Sequence, residues 1–352
     1  MTSAEPKKIL VTGCCGFIGS NFVRYLYNAY PSHQIFNFDL LTYAGNPDNL
    51  GDIEKAEAKF PNKNRRYHFI HGNINNKIQL DQLLSKHRFS IIFNFAAETH
   101  VDRSIVSMND FLHTNINGVW MLAEAVREHH VPRFVHISTD EVYGSVPKGS
   151  TDEETPLKPS NPYSASKAAG DMILLSFVRT HNLPVLIVRG ANNYGPYQYP
   201  EKLIPLVASN LIEKKKIPLH GDGCHVRNWL HVNDFCSAID LVGNKGKIGE
   251  IYNVGGEERT NMEVLSSIAN HLNIPLQKHI RYVKDRPGAD LRYSPDCSKI
   301  KRELGWKPKH FFDNDIKNVI DWYANSKPWW EALKNRAEYT DHYEKQSKGK
   351  WY

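Results

Sequence analysis

The feature that most limits what this chain can fold into is how its apolar segments change period along the first half. Short strand-like runs fall at 7–12, 34–38, 67–71, 90–95, 133–138 and 184–188. Longer stretches at 17–30, 76–87, 109–129 and 162–181 alternate with them, their apolar residues returning every three or four positions. Such alternation gives a parallel sheet, since each parallel connection needs a crossover and the crossover helix covers a sheet face. The pattern predicts an α/β, doubly wound fold. After about residue 190 the rhythm is lost. Helical patterns at 201–214, 234–242, 261–272, 296–304 and 313–325 surround one further strand-like run at 251–254. The expected organisation is a sheet domain over 7–190 that also receives about 229–254. A smaller, mostly helical lobe takes 191–228 and 255–335, and 336–352 is a polar, loosely held tail.

Composition enters as a set of exclusions. At 352 residues and 41% hydrophobic, the chain has enough apolar side chains for a large core and too many for intrinsic disorder. No apolar run approaches the roughly 20 residues needed to cross a bilayer. The first eight residues lack the apolar stretch of a secretory leader. Five cysteines, odd in number and without metal-type spacing, fit free thiols in a reducing cytoplasm. The net charge of +6 is scattered, and the one compact basic run, Glu213–Lys216, reads as a solvated helix end. Neither nucleic acid nor a membrane is an expected partner, and no metal is expected.

One short segment carries specific chemistry. Gly13, Gly16 and Gly19 follow the first strand and open the first helix. The first would make the tight turn, the second would let a pyrophosphate approach the backbone, and the third would seat the helix on the sheet. The helix N-terminus then offers unpaired N–H groups and a positive dipole end to the phosphates. Asp39 ends the second strand, 20 residues past Gly19. Its carboxylate suits a ribose diol and repels a 2′-phosphate, which points to NAD over NADP and to a Rossmann-like sheet. Cys14 and Cys15 fill variable positions of the turn as small side chains.

A second group lies further along. Tyr163 and Lys167 are four apart on one helix face. A neighbouring ammonium would lower the tyrosine pKa and make it a usable base for a sugar hydroxyl. Ser138-Thr139-Asp140-Glu141 ends the fifth strand, and ligands of open parallel sheets bind at the carboxyl ends of strands.

Together the glycine turn, Asn94–Ser104, Ser138–Glu141 and Tyr163…Lys167 resemble the extended short-chain dehydrogenase/reductases, of the NAD-dependent epimerase/dehydratase family. Adding Asn192–Pro205, His220–Gly223, Arg227–His231 and Asp285–Gly288, the sequence is most similar to the dTDP-glucose 4,6-dehydratase family over about 7–330. Tyr-x-x-x-Lys marks only the superfamily; consecutive Thr139-Asp140-Glu141 marks the dehydratases, since related 4-epimerases lack that acidic pair.

The resemblance implies a lyase that dehydrates a nucleoside-diphosphate glucose, with dTDP-glucose placed before UDP-glucose and a 4-epimerase as the remoter alternative. Tyr163 takes the proton of the 4-hydroxyl, Glu141 removes the hydrogen on carbon 5, and protonated Asp140 donates to the departing 6-hydroxyl. Thr139 bonds the 4-hydroxyl and Lys167 the nicotinamide ribose. NAD, tightly held and regenerated in each turnover, is lined further by Phe17, Ile18, Asn73, Ile74, Ala96, Ala97 and Thr99. Asn192, Lys202, Leu203, Arg227 and Arg286 hold the substrate's nucleoside diphosphate, with Arg103 near the cleft mouth. A homodimer is expected through helices 109–129 and 162–181. Three positions depart from the family pattern: Asn73 for Asp, Gly190-Ala191 for Cys-Ser, and Ala289 for His.

Overall fold

The computed structural model describes residues 7–349, so the first six residues and the end of the expected tail, 350–352, lie outside it. The first half supplies strands β1 (Lys8–Thr12), β2 (Gln34–Asp39), β3 (Tyr67–His71), β4 (Ile91–Asn94), β5 (Phe134–Thr139) and β6 (Val185–Gly190). The second adds β7 (Asn192–Tyr194), β8 (Ile217–His220), β9 (Val226–His231), β10 (Ile251–Val254), β11 (Glu257–Thr260) and β12 (Ile280–Val283). The first six and β10 form a seven-stranded sheet ordered β10-β6-β5-β4-β1-β2-β3, parallel at every pairing. Every residue of β4, β5 and β6 is buried. Such strands carry runs such as Ile91–Phe93 and Val185–Val188 in place of an apolar–polar alternation because helices cover both faces. On one face Phe22 and Leu26 pack with Phe235 and Ile239; on the other Leu80, Leu122, Val126 and Leu174 do the same. The doubly wound architecture is therefore as the alternation predicts.

Two helices shape the cleft. Pro162–His181 starts at a capping box on Asn161 with Pro162 in the first turn, and ends at Asn182 in the left-handed region. The predicted helix over 109–129 forms as Asn109–Phe111, a π-helical stretch Leu112–Gly118, and Val119–Glu128. Asn115 lies in the π stretch. Its amide donates to the Glu98 carbonyl and to Ser166 Oγ, both at 2.9 Å, and its Oδ1 accepts from the Glu98 N–H at 2.9 Å. The irregularity thus ties the loop after β4 to the helix Pro162–His181, as π turns at functional sites often do.

The second lobe holds two small sheets, β11-β9-β7 and β12-β8. Its core gathers Ile204, Leu211, Val264, Ile268, Ile316, Ile320 and Trp330. The predicted loose tail is corrected: Ala337–Lys348 is a helix with Tyr339, His342 and Gln346 buried along one face. Tyr339 packs with Tyr199 and Leu333 while Gln346 meets Asp102, so the helix's sequence lacks the continuous apolar period that marks a docked helix.

Candidate active site

The carboxyl ends of β1, β2, β5 and β6 open onto one long cleft, lined by Gly13, Asp39, Thr139 and Gly190 among others. Strand order reverses between β1 and β4, which places the cleft at the switch point where ligands of such sheets bind.

At the β1 end the chain turns through Gly13 at φ +72°, where a Cβ would lie 2.6 Å from the Ala96 nitrogen. Only glycine fits there. A Cβ on Gly16, by contrast, would meet nothing nearer than the Gly13 carbonyl oxygen at 3.4 Å. The open space there faces a helix N-terminus that no side chain caps. This is a cradle for a pyrophosphate. Asp39 Oδ2 accepts from the Cys15 N–H at 2.8 Å and Oδ1 from Leu41 N–H at 2.7 Å, which fixes the carboxylate at the cleft wall. Each oxygen keeps a lone pair for a ribose hydroxyl. Phe17, Ile18, Gly19, Asn73, Ile74, Ala96, Ala97 and Thr99 line the same cleft. Asn73 Oδ1 accepts from the Asn75 N–H at 2.9 Å, so the first departure keeps an acceptor but shares it with a turn. These donors and spaces fit a dinucleotide.

Thr139, Asp140, Glu141, Tyr163 and Lys167 meet further in, all lining the cleft. Thr139 caps the turn Asp140–Tyr143, its hydroxyl accepting from the Glu141 N–H at 3.2 Å. Asp140 is buried, its Oδ2 has no partner within the described residues, and its carboxyl is pushed well up by burial and then by the charge of Glu141. Glu141 is raised as well, by burial, against the pull of Arg227 and Lys202. A carboxyl that resists ionisation is a proton donor, and its more readily ionised neighbour is a base.

One expectation about this group needs correction. Lys167 does not pull Tyr163 down: its ammonium donates to the Ile137 carbonyl at 2.7 Å, and burial lowers it to about 8. Tyr163 is instead pushed up by burial and by Glu141, with a hydrogen bond from Thr139 acting the other way. Burial first, and then the charge of Glu141, hold the phenol's pKa up, and positive charge brought near it would lower it.

Several residues that shape the site gave no sequence signal. Tyr293 donates to Asp290 Oδ2 at 2.6 Å, with Glu141 Oε2 3.3 Å from the same hydroxyl, and Arg227 lies 4.5 Å over its ring. Arg189, read only as a neighbour of the second departure, is buried between Asp171 at 2.9 Å and the Tyr143 hydroxyl at 2.8 Å. It joins the helix carrying Tyr163 to the turn carrying Asp140. Glu98, also in the cleft wall, is raised to about 7, first by burial and then by Asp110. At the second departure, a Cβ built on Gly190 would lie 2.4 Å from the Phe235 ring, which fills that space.

Toward the second lobe the cleft is lined by Asn192, Lys202, Leu203, Arg227, Arg286 and Ala289. Asn192 Oδ1, Trp229 Nε1 and Arg286 Nε are buried without partners among the described residues. Buried polar atoms are rarely left so unless a ligand satisfies them. Arg103 does not line the cleft. It pairs with Glu201 at 3.1 Å and stacks 3.8 Å over Tyr43.

Comparison with known proteins agrees with this geometry. The family model described as GDP-mannose 4,6 dehydratase matches residues 10–319. The dTDP-glucose 4,6-dehydratase of Streptomyces niveus is 46% identical over 95% of this chain and 97% of its own. That of Escherichia coli is 43% identical, covering 93% and 96%. Among solved structures, dTDP-glucose 4,6-dehydratase of Streptomyces venezuelae with NAD bound superimposes with a TM-score of 0.88 at 44% identity, over 93% of this chain and 100% of that one. A UDP-glucose 4-epimerase of Thermus thermophilus, also with NAD, gives 0.80 at 28%, over 91% and 99%.

Proposed function

The chain belongs to the dTDP-glucose 4,6-dehydratase family, and from that premise we propose that it removes water from dTDP-glucose to give the 4-keto-6-deoxy sugar nucleotide. The observation that carries this reading is the acidic pair at the end of β5, buried Asp140 beside half-buried Glu141, lining the same cleft as the glycine turn and Tyr163. An epimerase has no use for that pair.

Bound NAD supplies a hydride acceptor for carbon 4 and a hydride donor for carbon 6, so it is regenerated in each turnover. Its positive ring, bound in the same cleft, would favour the phenolate of Tyr163. Tyr163 takes the proton of the 4-hydroxyl, held by Thr139, as the carbon becomes a ketone. The ketone acidifies the hydrogen on carbon 5, and Glu141 removes it as a proton. Asp140 gives its proton to the 6-hydroxyl, which departs as water. Glu141 returns a proton to carbon 5 once carbon 6 is reduced. Asn192, Lys202, Leu203, Arg227 and Arg286 hold the nucleoside diphosphate, the arginines by the planar fork that suits phosphate oxygens.

Two copies are expected to pair through the helices at 109–128 and 162–181, where Leu112, Trp120 and Met172 stand exposed. A large exposed apolar patch on a folded chain is commonly an interface. A cytoplasmic setting is supported by five free cysteines, and among the described residues no helix is long and apolar enough to cross a membrane.

The test is incubation with dTDP-glucose and, separately, UDP-glucose, followed by the alkali-induced absorbance of a 4-keto-6-deoxy product. Turnover of the thymidine nucleotide ahead of the uridine one is the expected result. Formation of galactose nucleotides instead would overturn the reading. NAD should be released on denaturing the pure protein, because a cofactor regenerated in place gains nothing by leaving.

A further inference from the structure

The helix Ala337–Lys348 reaches the cleft at one point. Gln346 lines it, is 7% exposed, and donates its amide to Asp102 Oδ2 at 3.1 Å. Asp102 is fully buried, and its other oxygen, Oδ1, accepts from Arg286 at 3.0 Å. Arg286 lines the cleft with its Nε buried and unpartnered, and Gln346 Oε1 is likewise buried and unpartnered. Three residues far apart in sequence, 102, 286 and 346, thus form a chain of contacts that ends on one guanidinium. The helix is anchored independently of that chain. His342 packs edge-on against His100 with ring centroids 4.6 Å apart, and the Glu338 carbonyl accepts from Arg103 at 3.1 Å.

We propose that Gln346 and Asp102 are positioning residues for the nucleotide-sugar site: they hold Arg286 in the orientation in which it takes the substrate's diphosphate. The proposal rests on the reading of Arg286 as a diphosphate ligand. A carboxylate bonded through both oxygens cannot swing, so the guanidinium bonded to it is fixed before substrate arrives, and affinity gains because less freedom is lost on binding. The surroundings favour an anion. His100, Asp102 and His342 come close enough to resemble a metal-ligand set, but Lys202, Arg103 and Arg286 bring positive charge against His100. Lys202 and Arg286 line the cleft there, so a further cation would be repelled, whereas a diphosphate would be attracted.

The test is a split between affinity and turnover. Gln346→Leu and Asp102→Asn should each raise KM for dTDP-glucose about tenfold, the usual worth of a hydrogen bond to a charged group. The Kd of dTDP alone should rise in parallel, while kcat at saturation and bound NAD stay within about twofold of the parent. Gln346→Glu, which sets a second carboxylate against Asp102, should be worse than leucine. Because Asp102→Asn can also loosen the fold, the leucine variant carries the decision, checked by an unchanged thermal midpoint. Arg286→Ala is the control. If it raises KM and Kd while Gln346→Leu leaves both unchanged, the positioning role is wrong and the reading of Arg286 stands. If Arg286→Ala leaves both unchanged, the diphosphate reading fails first and the proposal fails with it.

Discussion

Two ends of the same cleft bury aspartates almost completely and treat them oppositely. Asp140, 2% exposed, has no cation in direct contact and is pushed up by burial and by Glu141. Asp102, 0% exposed, meets the same cost of burial, yet Arg286 holds it below the usual carboxylate range. The pairing, though not the direction of the shift, extends to nearby glutamates. Burial raises both Glu201 and Glu141, but Glu201 is bonded by Arg103, whereas Glu141 Oε2 meets the hydroxyl of Tyr293. Burial alone therefore does not assign a role to an acid. An acid that must exchange a proton is left without a cation in contact; an acid that must hold an arginine is paired with it.

The largest effects should come from the unpaired end. Tyr163→Phe, Asp140→Asn and Glu141→Gln each remove a proton-transfer group without changing size, and each should lower kcat about 100- to 10,000-fold with KM little altered. The stage at which they stall separates them. Tyr163→Phe should show no reduced cofactor on mixing with substrate. Asp140→Asn should accumulate enzyme-bound NADH, since oxidation at carbon 4 does not need it. Glu141→Gln should lose exchange of the carbon 5 hydrogen with solvent deuterium. If both acid variants dehydrate glucose nucleotides at near parental rates, the unpaired acids are not the catalytic ones and the comparison collapses.

The two ends also differ in how far sequence reasoning reaches them. β1, β5 and β6 show as mainly apolar runs, and the residues at the catalytic end arrive in short local patterns: the glycine turn after β1, Thr139–Glu141 after β5, and Tyr163 and Lys167 on one helix. Local patterns are what periodicity and spacing detect. The paired end is assembled from distant segments. Asp102 and Arg286 are 184 positions apart and Gln346 is 244 from Asp102, so no spacing announces them. β8 carries Pro218 and β9 carries Arg227 and Asn228, which hides both strands from an apolar pattern. The helix Ala337–Lys348 reads as a tail because two of its three buried residues, His342 and Gln346, are polar. The spacing puts Tyr163 and Lys167 on one helix face, but spacing does not show that Lys167 turns to the Ile137 carbonyl.

A third buried aspartate extends the comparison beneath the site. Asp171 is paired with Arg189, and Arg189 reaches on to Tyr143 in the turn that carries Asp140. Arg189→Met should leave Asp171 buried without its partner and cost about 3–5 kcal/mol of stability, read as a fall in denaturation midpoint. Replacing Asp171 by Leu in the same chain should recover most of it, because an apolar pair of similar volume can stand in for a buried ion pair. Activity should stay low in the double variant even as stability returns, because the strut to Tyr143 is still missing. Full recovery of both would mean that the pair serves the fold alone.

The smallest effect is the sharpest, because the two aspartates should respond to the same substitution with opposite sign. The folded state keeps Asp140 protonated above the range where an unfolded aspartate ionises. Folding must then take up a proton, so the carboxyl costs stability as pH rises above that range. Asparagine is neutral in both states, and Asp140→Asn should gain about 1 kcal/mol near pH 8 while losing activity. The folded state keeps Asp102 ionised below that range. Its contribution is present above the unfolded pKa and disappears as pH falls through the lower folded value. Asp102→Asn should therefore lose about 1–2 kcal/mol near pH 8, less than a fully buried pair because Arg286 is 25% exposed. Denaturant midpoints near pH 8 and about pH 5 would read both, with the gap between the variants narrowing toward the acid side. If Asp140→Asn destabilised near pH 8 as Asp102→Asn does, Asp140 would be ionised and partnered in the fold, and its place as proton donor to the 6-hydroxyl would go with it.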